Sequence, residues 1–292
     1  MQRSSATADG KRVFLTGASS GIGLATARAL IECGCQVWGT SRQIARLPTG
    51  LENFHPIALD LTDEGSILTG FSKAQSEAGG RFDVLINNAG GGWFGPALQM
   101  PTSDLREQFQ TLVFGPLALI QLALPAMRAA SPPRGLVINI TSLAAKLPLP
   151  YAAAYSAAKA ALSSFSATLR MEEADVTAAG AIRFVDVQPG DICTDFNRAL
   201  HMPDALRDPA AVVADPAIAA AQRTLHVSNH DVDTGPSPDF IAQHLCRIVQ
   251  AANPPVVLAC GTFYQATLGS LAVRFLPARW LERSIRQHFA SR

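Results

Sequence analysis

The sequence predicts an α/β protein: one doubly wound parallel sheet with helices on both faces. Three observations point there. Short apolar, β-rich runs alternate with amphipathic helical stretches from residue 12 to about 190. A glycine-rich turn, TGASSGIG, follows the first of these runs directly and opens a helix. The chain is also long and apolar enough to bury such a sheet, with 292 residues, 48% hydrophobic and 16% charged.

The elements follow in order. RVFLT (12–16), CQVWGT (35–40), HPIALD (55–60), FDVLIN (82–87), GLVINIT (135–141) and IRFVDVQ (182–188) read as buried strands. Helices are expected near 22–33, 63–78, 102–128 and 152–179, each long enough to cross back over the sheet. From about 191 to 236 the pattern breaks into a segment punctuated by Pro, Ala and Asp, expected as an irregular lid over a site. A helix (238–251) and a strand, PVVLA (255–259), then resume, and an amphipathic extension covers about 261–292. We read 1–292 as a single domain.

Composition narrows the function. A net charge of +1 gives no pull toward nucleic acid. Cys33, Cys35, Cys193, Cys246 and Cys260 are scattered and odd in number, which suits a reducing, cytoplasmic setting better than a disulfide framework. The N-terminal MQRSSATADG has no apolar core and is not read as a secretory signal. Residues 108–127 and 254–273 are uncharged, but prolines, glutamines, threonines and glycines make both too polar for a membrane span.

The glycine turn carries the first chemistry. Gly17 allows a sharp turn, Gly21 leaves room for backbone to approach a pyrophosphate, and Gly23 permits close helix–sheet packing. The helix N-terminus behind Ser19, Ser20 and Ile22 offers N–H groups and partial positive charge to phosphate. An NAD site usually places an acid at the end of the second strand, yet no Asp or Glu lies between Glu32 and Glu52. Thr40, Ser41 and Arg42 stand there instead, and a guanidinium suits a 2′-phosphate. NADP(H) is therefore favoured over NAD(H).

YAAAYSAAK (151–159) carries the second. Tyr155 and Lys159 are four apart and share a helix face, so an ammonium close to the phenol would lower its pKa. Tyr155 is thus read as the acid/base and Lys159 as its tuner, while Tyr151 lines the entrance or packs. Ser142 ends the preceding strand, where open α/β sheets bind ligands, and its hydroxyl could hold a carbonyl oxygen beside the phenol.

With these pieces in place, residues 12 to about 260 resemble the short-chain dehydrogenase/reductase family. The matching stretches are TGASSGIG, LDLTD, NNAG, Ser142, YSAAK and QPGDICT. NNAGGGWFGP and GTSR look most like the branch that includes 17β-hydroxysteroid and retinol dehydrogenases. The resemblance implies a Rossmann fold, with Ser142, Tyr155 and Lys159 catalytic and Lys159 also binding nicotinamide ribose. It implies that Asp60 and Leu61 border the adenine, and that Asn87, Ala89 and Gly90 shape the cofactor floor. Pro189, Gly190, Ile192 and Thr194 would hold the nicotinamide end. Similar proteins form homodimers or homotetramers through helices corresponding to 102–128 and 152–179. Trp93, Tyr151 and Phe196 are the substrate-contact candidates, with Ser142. One position departs: FQTLVFG (109–115) puts Leu112 where many members carry an Asn that holds a relay water. The departure falls on the proton relay and not on cofactor binding.

The function expected is NADP(H)-dependent transfer of hydride between the nicotinamide and a ketone or alcohol, apolar or aromatic. The competing class is a non-catalytic NADP-binding protein, for which Leu112 is the sole support. HVSNHDVD (226–233) reads as a solvated loop, with no spacing that fixes a metal. The C-terminal segment after Val273 carries five arginines and one acid, with Phe275, Leu276, Trp280, Leu281, Ile285 and Phe289 at helix-like spacing. Such a helix docks on the domain or a partner subunit, or else rests on a membrane or covers a lipophilic substrate.

Overall fold

The structure, a computed structural model, describes residues 10–177, 181–262 and 264–290. The N-terminal reading, the last residues of the helix expected at 152–179, and Arg292 lie outside them. The described elements run β1 (Arg12–Leu15), α1 (Gly21–Glu32), β2 (Gln36–Ser41), β3 (Phe54–Ala58), α2 (Glu64–Glu77) and β4 (Val84–Asn87). They continue with α3 (Thr102–Phe109), α4 (Gly115–Arg128), β5 (Gly135–Ile140), α5 (Ala153–Val176) and β6 (Ile182–Pro189). The last are α6 (Pro209–Ala214), α7 (Pro216–Asp233), α8 (Pro238–Gln250), β7 (Val257–Cys260), α9 (Ser270–Phe275) and α10 (Ala278–Ala290). The seven strands are all parallel, in the order β3-β2-β1-β4-β5-β6-β7. The order reverses between β1 and β4, and such a switch point leaves a crevice at the carboxyl ends of the strands.

Strand alternation divides the core. Val13, Leu15, Val84, Ile86, Ile138 and Ile140 point to one face, where α1 and α8 cover them. Phe14, Leu85 and Val137 point to the other, toward α2 and α4. On that face Phe14, Phe71, Phe82 and Trp38 pack ring on ring, with centroids 5.1–5.6 Å apart. Each fully buried ring contributes about 1.5–3 kcal/mol by leaving water.

Every expected strand is present to within a residue or two. The stretch 102–128 is long and apolar enough to cross a membrane by length and composition, which is weak evidence, since 44% of its most apolar window is buried. Leu119, Ile120, Ala123, Leu124 and Met127 of this stretch pack into the sheet. It is also not one regular helix. A π-helical turn over Gln110–Phe114 separates α3 from α4 and directs Leu112 and Val113 inward.

The larger correction concerns the second half of 191–236: residues 191–208 are irregular as expected, with two short 3-10 turns, but 209–233 are helical. Asp208 and Asp215 accept hydrogen bonds from Ala210 N and Ala217 N at 3.0 and 2.8 Å, and each is followed by a proline at the first helical turn. What looked like loop punctuation is a pair of helix starts. HVSNHDVD accordingly lies in α7 and not in a loop. No group of His, Cys, Asp and Glu suited to a metal occurs among the described residues, and none of the five cysteines is joined in a disulfide.

Candidate active site

The glycine turn is locked against the loop after β4. Gly17 adopts φ +71°, and a Cβ on it would lie 2.7 Å from Ala89 Cα. A Cβ on Gly23 would lie 2.0 Å from the Gly17 carbonyl oxygen, so α1 can only start here without a side chain. Thr16 Oγ1 accepts from Asn88 N and Ala89 N, both at 2.9 Å. Asn88 Nδ2 donates to Thr16 O and Gly17 O at 3.0 and 3.2 Å. Thr16 and Asn88 are thus site residues that the sequence reading passed over, although Asn88 sat inside the quoted NNAG. Ser20 stands at the N-cap of α1 without a side-chain cap, leaving the helix's first N–H groups for a phosphate. Gly21 faces Thr194, its added Cβ 3.4 Å from Thr194 Cγ2, so the two ends of the expected dinucleotide site meet across the crevice.

Several of the expected cofactor residues also have structural partners. Ile22 and Leu61 point their side chains into the core, so only their backbone can border a dinucleotide. Asn87 is buried with its Nδ2 donating to Asn139 Oδ1 at 2.8 Å, which ties β4 to β5 and takes the amide off the cofactor floor. Asp60 accepts from Thr62 N and Thr62 Oγ1 at 2.9 and 2.8 Å, holding the turn that follows β3. Ile192 points its side chain into the core, so only its backbone can face the crevice. Thr40 is buried, and its carbonyl accepts from Ala18 N at 2.9 Å, which holds the end of β2 beside the glycine turn. Ser41 Oγ accepts from Gln43 N at 3.2 Å, and Arg42 is exposed next to it.

The loop from Pro189 to Thr194 is pinned from far along the chain. Gly190 N donates to Cys260 O at 2.7 Å, and Asp191 N donates to Gln265 Oε1 at 3.2 Å. Gln265 Nε2 donates in turn to Asp191 Oδ2. No local sequence signal marks Gln265, because its role depends on a fold contact across 74 positions. Burial raises Asp191 to about 6, with the Asp231 charge adding to the effect and the Gln265 hydrogen bond and His288 opposing it.

Ser142, Tyr155 and Lys159 converge as expected. Ser142 Oγ accepts from Ala144 N at 3.0 Å, faces Pro189 O at 3.4 Å and hydrogen-bonds the Tyr155 phenol. Lys159 Nζ donates to Ile140 O at 2.7 Å and sits 5.7 Å from the Tyr155 ring centre. The electrostatics depart from expectation. Burial pushes the Tyr155 phenol up to about 12, against the lowering effect of the Ser142 hydrogen bond, while the Asp191 charge adds to the rise. Burial brings Lys159 down to about 8, partly countered by Asp186. The lysine does not activate the phenol in this state, because the same low-polarity surroundings penalise both charges. Lys159 thereby costs stability below pH about 8, and the cost fades as pH rises from there toward 10.5. Leu112 is buried against Ala158 and Tyr155, so an apolar side chain fills the position beside the pair.

Tyr155 opens on a cavity of about 50 Å3 walled by Trp93, Phe94, Leu149, Phe196, Leu200 and Phe289, with Asn197, Thr224 and Ser228 as polar lining. Trp93 and Phe196 are where they were expected, the Phe196 ring 5.5 Å from that of Tyr155. Tyr151 takes the second of its two expected places and packs: it adopts φ +63° and its ring lies 6.2 Å from that of Phe94, outside the cavity lining. Phe289 enters from α10, and His288 Nε2 lies 2.7 Å from Asp231 Oδ2 on α7.

A phosphate cradle at a sheet switch point, opposite a Ser–Tyr–Lys set, defines a dinucleotide-dependent oxidoreductase. The short chain dehydrogenase profile matches residues 11–204, and the chain belongs to that family. It is 32% identical over 281 residues to the 3-ketodihydrosphingosine reductase of Bacteroides thetaiotaomicron, covering 96% of this chain and 98% of the relative. It is 30% identical to "Oxidoreductase BOA17" of Botryotinia fuckeliana, covering 85% of this chain and 88% of that one. A short-chain dehydrogenase structure from Streptomyces avermitilis superposes with a TM-score of 0.76 at 30% identity, covering 97% and 98% of the two chains. Other structures of this fold hold NADP in some cases and NAD or NADH in others, so the fold alone does not choose. These relatives lend no support to a non-catalytic reading.

Two predictions follow from this geometry. Gly23→Ala sets a methyl against an immovable carbonyl and is expected to cost at least about 2 kcal/mol in urea denaturation. In an alkaline titration followed by phenolate absorbance, the parent and Tyr155→Phe should differ only above the ordinary phenol value of 10.0, because burial delays this ionisation. A Tyr155-dependent step below that value would show the phenol to be activated already without dinucleotide.

Proposed function

We propose that the protein is an NADPH-dependent reductase of a lipophilic ketone. The observation that carries this reading is the position of Tyr155. It stands beside Ser142 and Lys159 at the boundary between the cofactor crevice and an apolar cavity. NADP(H) over NAD(H) is supported by Arg42, exposed at the end of β2 beside the glycine turn, where no acid competes for a ribose 2′-hydroxyl. A ketone substrate is supported by the full-length likeness to a 3-ketodihydrosphingosine reductase. That long-chain ketone is the first to try. A cavity of about 50 Å3 does not accept a long chain, so α7 and α10 must open for it.

The bound dinucleotide supplies the hydride, and the chain's residues do the rest. Ser142 and Tyr155 hold the carbonyl oxygen by two hydrogen bonds, fixing its carbon over the nicotinamide end of the crevice. Tyr155 delivers its proton to that oxygen as the C–H bond forms. A phenol held near 12 is fully protonated at neutral pH, the state in which a proton donor must begin. The phenolate left behind lies close to the Lys159 ammonium, which stabilises it. Asp186 keeps that ammonium charged despite burial. With Leu112 in place of an amide, reprotonation reaches Lys159 from the crevice side and not along α3–α4. We place the enzyme in the cytoplasm as a homo-oligomer, supported by Phe114, Phe165 and Met171 exposed on and beside α4 and α5.

Tyr155→Phe keeps the ring and removes the proton, and is expected to lower kcat at least about a hundredfold with NADPH affinity unchanged. A variant as fast as the parent would move the chemistry elsewhere. Arg42→Asp should weaken NADPH more than about tenfold and improve NADH, since a charged partner for phosphate is worth roughly 1.5–3 kcal/mol. Fluorescence titration with both nucleotides reads this directly, and equal NADPH affinity would exclude Arg42 from the site.

A further inference from the structure

We infer that residues 264–290 form a docking surface for anionic lipid bilayer, carried on the outside of the helix that walls the cavity. This goes beyond the reaction and does not depend on it. The π-helical turn Tyr264–Gly269 runs into α9, and Tyr264, Leu268, Leu271 and Phe275 recur at intervals of four, three and four. That spacing places them on one helix face. All four are exposed, Tyr264 by 73% and Phe275 by 71%, and Leu276 and Trp280 (65%) continue the stripe into α10. Large apolar side chains exposed singly are ordinary, but six along one segment are a patch that something covers.

The charges around the stripe select the occupant. Arg279, Arg283 and Arg286 line the outer side of α10 with one acid, Glu282, and Arg274 lies over the Phe275 ring at 5.7 Å. Trp280 and Arg283 are three apart and share that outward side. The whole chain has 24 basic and 23 acidic side chains, so without the five arginines and one acid after Val273 it is net negative. The positive charge is therefore concentrated beside the apolar stripe. A second copy is a poor occupant, because an isologous pairing would bring arginines against arginines with little acid to meet them. A bilayer carrying anionic headgroups accepts both features at once. Aromatic and aliphatic groups enter the headgroup boundary while the guanidiniums meet phosphate.

The inner side of the same helix is engaged differently. Leu281, Ile285 and Phe289 recur every four residues and are only partly exposed, and Phe289 reaches the cavity. On the reading that the substrate is lipophilic, α10 stands between the bilayer and the active site.

Sedimentation of the full-length protein with vesicles tests this, comparing phosphatidylcholine alone with phosphatidylcholine mixed with phosphatidylserine. Binding should be at least about tenfold stronger to the anionic vesicles and should weaken with added salt. Trp38 and Trp93 are buried at 1% and 5% exposure, so a blue shift of tryptophan emission on adding vesicles reports Trp280. The pair Phe275→Ser with Trp280→Ser should abolish binding, and Arg279→Glu with Arg283→Glu should abolish the preference for anionic lipid. Both pairs replace exposed groups, and unchanged NADPH affinity verifies their fold. Equal binding to both vesicle types, or none, overturns the inference. So does a parent that light scattering shows to be a dimer broken by Phe275→Ser with Trp280→Ser and that ignores vesicles, since the stripe would then be a subunit interface. Because vesicle binding needs no substrate, it can succeed or fail separately from the proposed reaction.

Discussion

The contact of Gly17 with Ala89 is the constraint on which the rest depends. It joins the turn after β1 to the loop after β4 at the one place where the sheet's connections diverge, and it leaves no room for a side chain. Thr16 and Asn88 secure it with four hydrogen bonds, all at 3.2 Å or less. The floor of the crevice, the start of α1 and the position of Thr194 opposite Gly21 all follow from that closure. So does the site beyond it, because β5 and β6 extend the same sheet and present Ser142 and the Pro189–Thr194 loop at the same edge.

Burial sets the electrical character of this edge. Tyr155 and Lys159 sit where both ionised forms are costly, and the phenol rises while the ammonium falls. Asp186 is the counterweight. It is held by Thr141, Ser163 and Gln188, with Ser163 Oγ donating at 2.6 Å and Gln188 Nε2 at 2.6 Å, so a buried carboxylate is fully paired. Such a network keeps negative potential near Lys159 without exposing an acid to the cavity.

The sheet and the Ser–Tyr–Lys set were legible because they are local. Apolar runs with β-branched residues announced the strands, and an i, i+4 pair announced a shared helix face. The irregular first half of the lid, 191–208, was legible, but the helices at 209–233 were not, because prolines and aspartates that break a strand pattern also begin a helix, and composition does not distinguish the two uses. Asn87 was expected at the cofactor floor and its Nδ2 ties β4 to β5, while its neighbour Asn88 clamps the glycine turn. One position along a chain reverses the direction of a side chain, and only the fold shows which way each points. Gln265 was invisible for a different reason: its partner is 74 residues away. The sign of the Tyr155 shift was likewise beyond the sequence, since spacing reveals a neighbour's charge but not the loss of water.

Thr194 and Phe196 lie two residues apart, yet one faces Gly21 in the crevice and the other sets its ring at a tilt to that of Tyr155 in the cavity. Between them Thr194 Oγ1 accepts from Phe196 N at 3.3 Å, which ties the two positions into one turn. The crevice and the cavity thus share one short stretch of chain, and a change at Thr194 is felt at the wall beside Tyr155.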